Sequence, residues 1–210
     1  MSLPQLYYFN LRGFGEYIRL LFTDRQVKFE DIRLPLDGPE WAELKETMIF
    51  GTVPCLKMDG KEMVQTGAIM RHLGRIYDLN GSNDKESRFL DMFFECVRDS
   101  RMNYSMAAWE MVSKQEIASK IIPESLEKLE KLFEMHPGDF IIGEKISYAD
   151  YILFEELDVY NCVDNGILSK FPVLKAFWER MWDRKNLKAY LQKRKDDDVK
   201  INASDFYDFS

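Results

Sequence analysis

The chain has 210 residues, of which 46% are hydrophobic and 31% charged, with 11 Gly and 7 Pro, so collagen-like, low-complexity and disordered chains are excluded. Its 29 Lys and Arg against 36 Asp and Glu give a formal net charge of −7, which opposes binding to nucleic acid and to anionic membrane surfaces. No run approaches the roughly 18 apolar residues of a membrane span, and residues 1–13 lack the pattern of a signal peptide. We therefore expect a cytoplasmic protein.

The first forty residues predict a β-α-β unit. The aromatic run at residues 6–9 is typical of a buried strand, and after Gly13 and Gly15 the apolar residues recur at helical spacing. Residues 27–34 alternate as a second strand does, before prolines and a glycine break the pattern.

A hairpin and a helix are expected next. Asp59-Gly60, a dipeptide that closes tight hairpins, separates two short strands at residues 55–58 and 62–64. The helix that follows is predicted to end near Asn80-Gly81. Ile69, Leu73 and Ile76 mark one face of this helix.

From residue 83 onward the strand signals stop and the apolar spacing becomes helical. Ser147 and Asp150 form the pattern of a capping box at the start of a helix so apolar that it is expected at the centre of a bundle. Helices expected around it contain Phe177, Trp178, Met181, Leu187 and Leu191. Residues 196–210 are predicted to be a loosely held acidic tail.

The cysteines and histidines do not suggest a disulfide framework or a metal site. Cys55, Cys96 and Cys162 are odd in number and widely spaced among apolar residues, unlike those of a secreted disulfide-rich protein. The two histidines, His72 and His136, form no metal-ligand spacing with each other or with the cysteines, so we expect no metal.

The order of elements is typical of a thioredoxin-like domain, in which a cis-proline commonly precedes the third strand. Val53-Pro54 occupies that place, where a cis bond would let the Val53 backbone pair with an extended peptide. The alternative is an ordinary proline that opens a strand. Residues 12–15 read Arg-Gly-Phe-Gly, where a thioredoxin or glutaredoxin would carry a nucleophilic cysteine, so dithiol exchange is disfavoured.

Several motifs, in order along nearly the whole chain, resemble a cytosolic glutathione S-transferase, closest to the pi class and its invertebrate relatives and next to the sigma class. They are Tyr8-Phe9 with Arg12-Gly13, Trp41 with Lys45, Phe50-Gly51-Thr52-Val53-Pro54, Gln65-Thr66 and Ser147-Tyr148-Ala149-Asp150. The resemblance implies an α/β, thioredoxin-like glutathione-binding domain over residues 1–80. It also implies an all-α domain over residues 81–210, which contributes a hydrophobic substrate pocket, and a homodimer.

Site residues follow from the resemblance position by position. Tyr8 falls on the catalytic tyrosine, whose hydroxyl hydrogen-bonds the glutathione sulfur and favours the thiolate. The implied glutathione contacts are Trp41 and Lys45 at the glycine end, Thr52 and Val53 beside the peptide, Gln65 and Thr66 at the γ-glutamyl carboxylate, and Asp99 from the neighbouring subunit. The implied wall of the electrophile pocket is Phe9, Met102 and Trp109.

Each of these residues also has an ordinary structural interpretation. Tyr8 suits a core aromatic, Trp41 with Lys45 a surface pair, and Thr66 a helix cap. Asp99 suits a charge on a solvated helix face. Strand alternation places Tyr7 and Tyr8 on opposite faces, and the motif selects Tyr8.

Three positions depart from the pi-class pattern. Thr52 stands where Gln is usual, Phe14 replaces a second arginine, and Trp109 replaces a tyrosine that faces the electrophile. Trp109 can stack on an aromatic substrate, but an indole N–H is a poorer acid than a phenol. Phe50 matches an aromatic residue that enters the partner subunit at the dimer interface.

The sequence therefore predicts a transferase that conjugates reduced glutathione to small hydrophobic electrophiles, with glutathione as co-substrate and no further cofactor. One alternative is a glutathione-dependent isomerase of the prostaglandin synthase type. The other is a non-catalytic ligand carrier on the same fold, which would lose Tyr8 or the Gln65-Thr66 pair.

Overall fold

The computed structural model describes residues 2–36, 38–109 and 112–202, and for residues 107–109 the backbone alone. Within that part of the chain, residues 2–73 and 184–202 form one compact unit, and residues 74–183 form a second. No helix among the described residues is long and apolar enough to cross a membrane.

The first unit contains a four-stranded mixed sheet in the order β2-β1-β3-β4. Strand β1 runs parallel to β2 and antiparallel to β3, which in turn is antiparallel to β4. The elements are β1 (Gln5–Phe9), α1 (Glu16–Asp24), β2 (Glu30–Leu34), α2 (Pro39–Thr47), β3 (Cys55–Met58), β4 (Lys61–Val64) and α3 (Thr66–Ile76), the last of which extends into the second unit. This arrangement confirms the predicted thioredoxin-like layout.

Local signals account for the hairpin and for two differences at element ends. Asp59 and Gly60 have φ of 51° and 71°, the positive values that close a two-residue hairpin. Strand β2 begins at Glu30 rather than at residue 27. Helix α3 ends at Ile76, earlier than predicted, because Asp78 takes a left-handed φ of 56°.

The three apolar residues that mark one face of α3 differ in burial. Ile69 and Leu73 are fully buried, whereas Ile76 is 45% exposed. Ile76 is the last residue of the helix, so the expected apolar face does not continue through it.

The regular elements of the second unit beyond α3 are helical. They are α4 (Asp84–Trp109), α5 (Lys114–Glu116), a π-helical turn (Ile117–Ile121), α6 (Ile122–Phe133), α7 (Tyr148–Val163), a 3₁₀ turn (Ile167–Lys170) and α8 (Pro172–Trp182). The capping box of Ser147 and Asp150 is present, and residues 148–160 of α7 are all buried. The predicted central helix is therefore confirmed.

The last helix, α9 (Lys188–Asp196), belongs to the first unit. We expected Leu187 and Leu191 in the helical bundle and a single boundary between residues 80 and 81. Both leucines are fully buried, but Arg194 donates to the α1 carboxylate of Glu16 at 2.8 Å. Arg184 likewise binds Asp24 at 2.7 Å. Because both α1 carboxylates are buried, the cations that pair with them hold the C-terminal residues on this unit.

The expectation of a loose acidic tail over residues 196–210 is wrong for residues 200 and 201, and residues 203–210 lie outside the described residues. The Arg12 N–H donates to the Lys200 carbonyl at 2.8 Å, and the Gly13 N–H donates to the Ile201 carbonyl at 3.2 Å. Backbone groups make both of these bonds, so the acidic side chains of the tail gave no sign of them.

Candidate functional site

Tyr8 is held in a close-fitting surround at the end of β1. Its side chain is 6% exposed, and its hydroxyl oxygen accepts a hydrogen bond from the Phe14 N–H at 3.0 Å. A Cβ built on Gly13 would lie 2.5 Å from this hydroxyl, and one built on Gly15 would lie 2.5 Å from the ring carbon Cδ1. The two glycines are therefore required for the turn to close around Tyr8.

Sequence reasoning used Gly13 only as part of a motif and Gly15 only as a break between a strand and a helix. The available signal was the Gly-x-Gly spacing directly after an aromatic strand, since glycine marks places where backbone approaches another group closely. An oxygen that accepts a hydrogen bond retains its own proton for donation. The Tyr8 hydroxyl thus has the chemistry needed to donate to a sulfur anion.

Tyr7 lies on the opposite face of β1, as strand alternation predicted. Its side chain is half-buried, and its hydroxyl donates to Oε1 of Gln5 at 3.2 Å. The ammonium of Lys57 lies 4.9 Å from the centre of its ring. These contacts account for Tyr7 as a structural residue of the sheet.

A buried cation, which sequence reasoning missed, lies next to the Tyr8 ring. The Arg19 guanidinium carbon is 5.8 Å from the ring centre, and Nη1 donates to the Leu11 carbonyl at 2.7 Å. Burial opposes the charge, but the carboxylates of Glu16 and Asp31 outweigh it and raise the pKa of Arg19. The available signal was an arginine inside the apolar run of α1.

Trp41 and Lys45 lie four residues apart on α2, as their spacing predicted. Trp41 is half-buried and meets Phe9 edge to face, with ring centres 5.3 Å apart. Lys45 is exposed, and a Cβ on Gly51 would lie 3.3 Å from its Cγ. The structure thus brings Phe9 to Trp41 and the stem of Lys45 to the segment before β3.

Thr52 and Val53 are half-buried at the approach to β3, and the Val53-Pro54 bond is cis. The sequence had left a cis bond and an ordinary strand-opening proline as alternatives.

Gln65 and Thr66 stand where β4 passes into α3. Gln65 is exposed and has a φ of 72°, and non-glycine residues in this left-handed region concentrate at functional sites. Thr66 is half-buried and is the first residue of α3. The first N–H groups of a helix have no acceptor within it and attract anions.

The remaining predicted site residues belong to α4, in the second unit. Asp99 is exposed and Met102 is 43% exposed, and their separation of three residues places them on one helix face. The side chain of Trp109 falls outside the described residues.

The described residues contain no group of three or more His, Cys, Asp or Glu side chains placed to hold a metal ion. The residue that follows Pro54 is Cys55. The Cys55 thiol donates to Oε1 of Glu62 at 3.2 Å. Burial, with the Glu62 carboxylate, raises the pKa of Cys55 to about 12, so this thiol stays protonated.

Comparison with known families matches both halves of the chain. The family described as "Glutathione S-transferase, N-terminal domain" matches residues 4–75. The family described as "Glutathione S-transferase, C-terminal domain" matches residues 98–194.

Individual relatives and structures agree with these matches. Glutathione S-transferase P 10 of Caenorhabditis elegans is 64% identical over 204 residues, which cover 97% of each chain. The pi-class glutathione S-transferase structure from Onchocerca volvulus is 43% identical, with a TM-score of 0.91 over 96% of this chain and 98% of that one. The structure of prostaglandin synthase D from Nilaparvata lugens is 27% identical, with a TM-score of 0.80 over 92% of this chain and 99% of that one.

Proposed function

Because the chain belongs to the glutathione S-transferase family, whose members conjugate glutathione, we propose that Tyr8 stabilises the glutathione thiolate. The observation that supports this role is the Phe14 N–H bond to the Tyr8 oxygen, which fixes the hydroxyl while its proton serves as the donor. The thiol proton leaves to solvent. The thiolate then forms a sulfur–carbon bond with the electrophile, either as a leaving group departs from that carbon with its electron pair or, in an addition, as a π bond to that carbon breaks and the displaced electron pair takes a proton from solvent.

The energetics of one such hydrogen bond are sufficient. A free thiol has a pKa of about 8.5, and a hydrogen bond to a charged group contributes roughly 1.5–3 kcal/mol. One pKa unit corresponds to about 1.4 kcal/mol. A single phenolic donor therefore lowers the thiol pKa by about one to two units, which makes thiolate a major form near neutral pH.

Glutathione, a tripeptide, is proposed to bind the first unit along its length from the glycine end to the γ-glutamyl end. Trp41 and Lys45 bind the glycine end, where the Lys45 cation offsets the net charge of −7. The backbone of Val53, with Thr52 beside it, takes the peptide. Gln65 and Thr66 take the γ-glutamyl carboxylate at the start of α3, and Asp99 of the neighbouring subunit takes the γ-glutamyl amine.

The second substrate is proposed to be a small hydrophobic electrophile that meets Phe9, Met102 and Trp109. Met102 is a large apolar side chain that remains 43% exposed, as the wall of a hydrophobic site requires in the absence of its ligand.

Trp109→Ala should change kcat/KM unevenly across electrophiles and leave glutathione affinity close to that of the wild type, because the indole is assigned to the electrophile alone. Steady-state kinetics with aromatic and aliphatic electrophiles, together with glutathione titration, check this. Equal loss for every electrophile, or a large loss of glutathione binding, contradicts the assignment.

A homodimer is proposed from two adjacent exposed apolar residues. Ile49 and Phe50 are 69% and 71% exposed, and neighbouring large apolar side chains on a surface mark interaction sites. In a twofold dimer each protomer inserts the same residue into the other, so its contribution counts twice.

Phe50→Ala should weaken dimerisation by roughly 3 kcal/mol or more, because burying one aromatic ring contributes about 1.5–3 kcal/mol and symmetry doubles the effect. Sedimentation velocity across a dilution series measures the dissociation constant. A wild-type protein that is monomeric at micromolar concentration contradicts the proposal.

The second candidate function is glutathione-dependent isomerisation. The similarity to prostaglandin synthase D supports keeping it, because the same thiolate can stay bonded to its substrate, as in conjugation, or leave again after the substrate has rearranged, as in isomerisation. We also propose that the protein acts in the cytoplasm; none of its three cysteines forms a disulfide, as is usual in a reducing compartment.

Retention on immobilised glutathione, followed by assays with a panel of electrophiles and a prostaglandin endoperoxide, tests the proposed function. We expect retention, elution by free glutathione, and formation of thioether products. Retention without turnover of any panel member favours the ligand carrier, and turnover of the endoperoxide alone favours the isomerase.

A further inference from the structure

The residues that follow α9 make backbone contacts directly beside the Tyr8 site. We call residues 199–202 the C-terminal strap. The strap accepts hydrogen bonds through the carbonyls of Lys200 and Ile201 from the N–H groups of Arg12 and Gly13, at 2.8 and 3.2 Å. Val199, Ile201 and Asn202 are half-buried while Lys200 is exposed, so three of the four strap side chains are partly covered.

The turn that receives the strap is the turn that holds Tyr8. Three consecutive backbone N–H groups have different acceptors. The Arg12 and Gly13 N–H groups donate to the strap, and the Phe14 N–H donates to the Tyr8 hydroxyl oxygen. The Arg12 carbonyl accepts from the Glu16 N–H at 3.0 Å, which ties the turn to the first residue of α1.

The start of the strap is itself fixed to α1. The buried Glu16 carboxylate accepts from Arg194 at 2.8 Å and from the Tyr190 hydroxyl at 2.7 Å. Because α9 ends at Asp196, the chain leaves this anchored helix only a few residues before it reaches Arg12. The strap is therefore held by the anchored helix that precedes it and by the Arg12 and Gly13 amides that bind its own carbonyls.

We propose that the C-terminal strap is a positioning element for the Tyr8 hydroxyl, a role that rests on the proposed function of Tyr8. By holding the Arg12 and Gly13 amides, the strap fixes the Phe14 N–H on the Tyr8 oxygen. That bond in turn limits the directions in which the Tyr8 O–H points. The strap, which lies more than 190 positions after Tyr8 in the sequence, thus sets the strength of the bond from the Tyr8 hydroxyl to the glutathione sulfur.

The test uses the full chain with Val199→Gly and Ile201→Gly together. This variant keeps both acceptor carbonyls but removes the half-buried side chains and adds backbone freedom. The matched control is Val27→Gly with Ile32→Gly, which removes the same two side-chain types from half-buried positions in the same unit. Ile32 lies in β2, where it pairs with Tyr7 in the sheet.

The pKa of bound glutathione and the pH profile of kcat/KM are the readouts, because a loss of stability alone does not move them. We expect the strap variant to raise the thiol pKa by about half a unit, so that kcat/KM at pH 6.5 falls about threefold and approaches the wild-type value above the thiol pKa. Amide hydrogen exchange over residues 10–16 should speed up. The control should lose stability without moving the thiol pKa.

Tyr8→Phe separates failure of this proposal from failure of the proposed function. If Tyr8→Phe leaves the thiol pKa unchanged, the role of Tyr8 itself is wrong. If Tyr8→Phe raises the pKa and the strap variant does not, only the role of the strap is overturned. In the Tyr8→Phe background the strap variant should have no further effect on the thiol pKa, and a full additional shift overturns positioning through Tyr8.

Discussion

Glu16→Gln should reduce the free energy of unfolding by about 3–5 kcal/mol, because it breaks a buried ion pair and leaves cations without their full counter-charge. Glu16 is fully buried and binds Arg194 at 2.8 Å and Arg19 at 3.3 Å. Burial raises its pKa, but the guanidinium groups of Arg194, Arg19 and Arg12 and the Tyr190 hydroxyl outweigh burial and lower the pKa from 4.5 to about 2.

The sign of the pH dependence follows from that depressed pKa. The stabilisation is fully present above pH 4.5 and is lost as pH falls towards 2. Thermal unfolding between pH 2 and 7 should therefore show a fall in wild-type Tm in this window that is smaller in Glu16→Gln. Glu179→Gln is the control, since its pair with Lys175 is exposed and is worth at most about 1 kcal/mol. Equal acid sensitivity in wild type and Glu16→Gln contradicts this account of the network.

Tyr8→Phe should lower conjugation at neutral pH by at least about tenfold and leave folding and glutathione affinity nearly unchanged. The change removes one oxygen and retains the ring beside Gly13 and Gly15, so folding is preserved. The hydrogen bond that is lost lowers the thiol pKa by about one to two units in the wild type. The pH profile of kcat/KM measures this, since the variant should approach the wild type above the raised thiol pKa. Tyr7→Phe, on the opposite face of β1, is the control and should retain wild-type rates.

Much of the first unit was predictable because its signals are local. The Asp59-Gly60 turn specifies a hairpin whatever packs around it, and the apolar spacing of α1 predicts a helix. In the second unit, the capping box at Ser147 is likewise contained within four residues. Such features need no knowledge of distant partners.

The place of α9 was not predictable from periodicity. Leu187 and Leu191 indicate that one side of this segment is buried, but they do not indicate which part of the protein it packs against. That partner is determined by the bond between Arg194 and Glu16, two residues separated by 178 positions. The strap was hidden for a related reason, because backbone carbonyls carry no residue-specific signal and the surrounding composition is acidic.

The candidate site divides in the same way. Tyr8, Trp41, Lys45 and Gln65 were predicted because a family motif includes their side chains. The role of Gly13 and Gly15 was not predicted. These residues matter because a Cβ at either position would collide with Tyr8, and only the position of the Tyr8 side chain reveals this. Arg19 escaped because an arginine within an apolar helix is recognised as buried only after its two carboxylate partners are located.

Titration of the thiolate absorbance of bound glutathione against pH tests the central claim most directly, because it reports the ionisation of the sulfur without involving an electrophile. Wild type, Tyr8→Phe and Tyr7→Phe are compared at saturating glutathione. We predict that the thiol pKa rises by about one to two units in Tyr8→Phe and stays at the wild-type value in Tyr7→Phe. An unchanged titration in Tyr8→Phe would show that Tyr8 does not stabilise the thiolate.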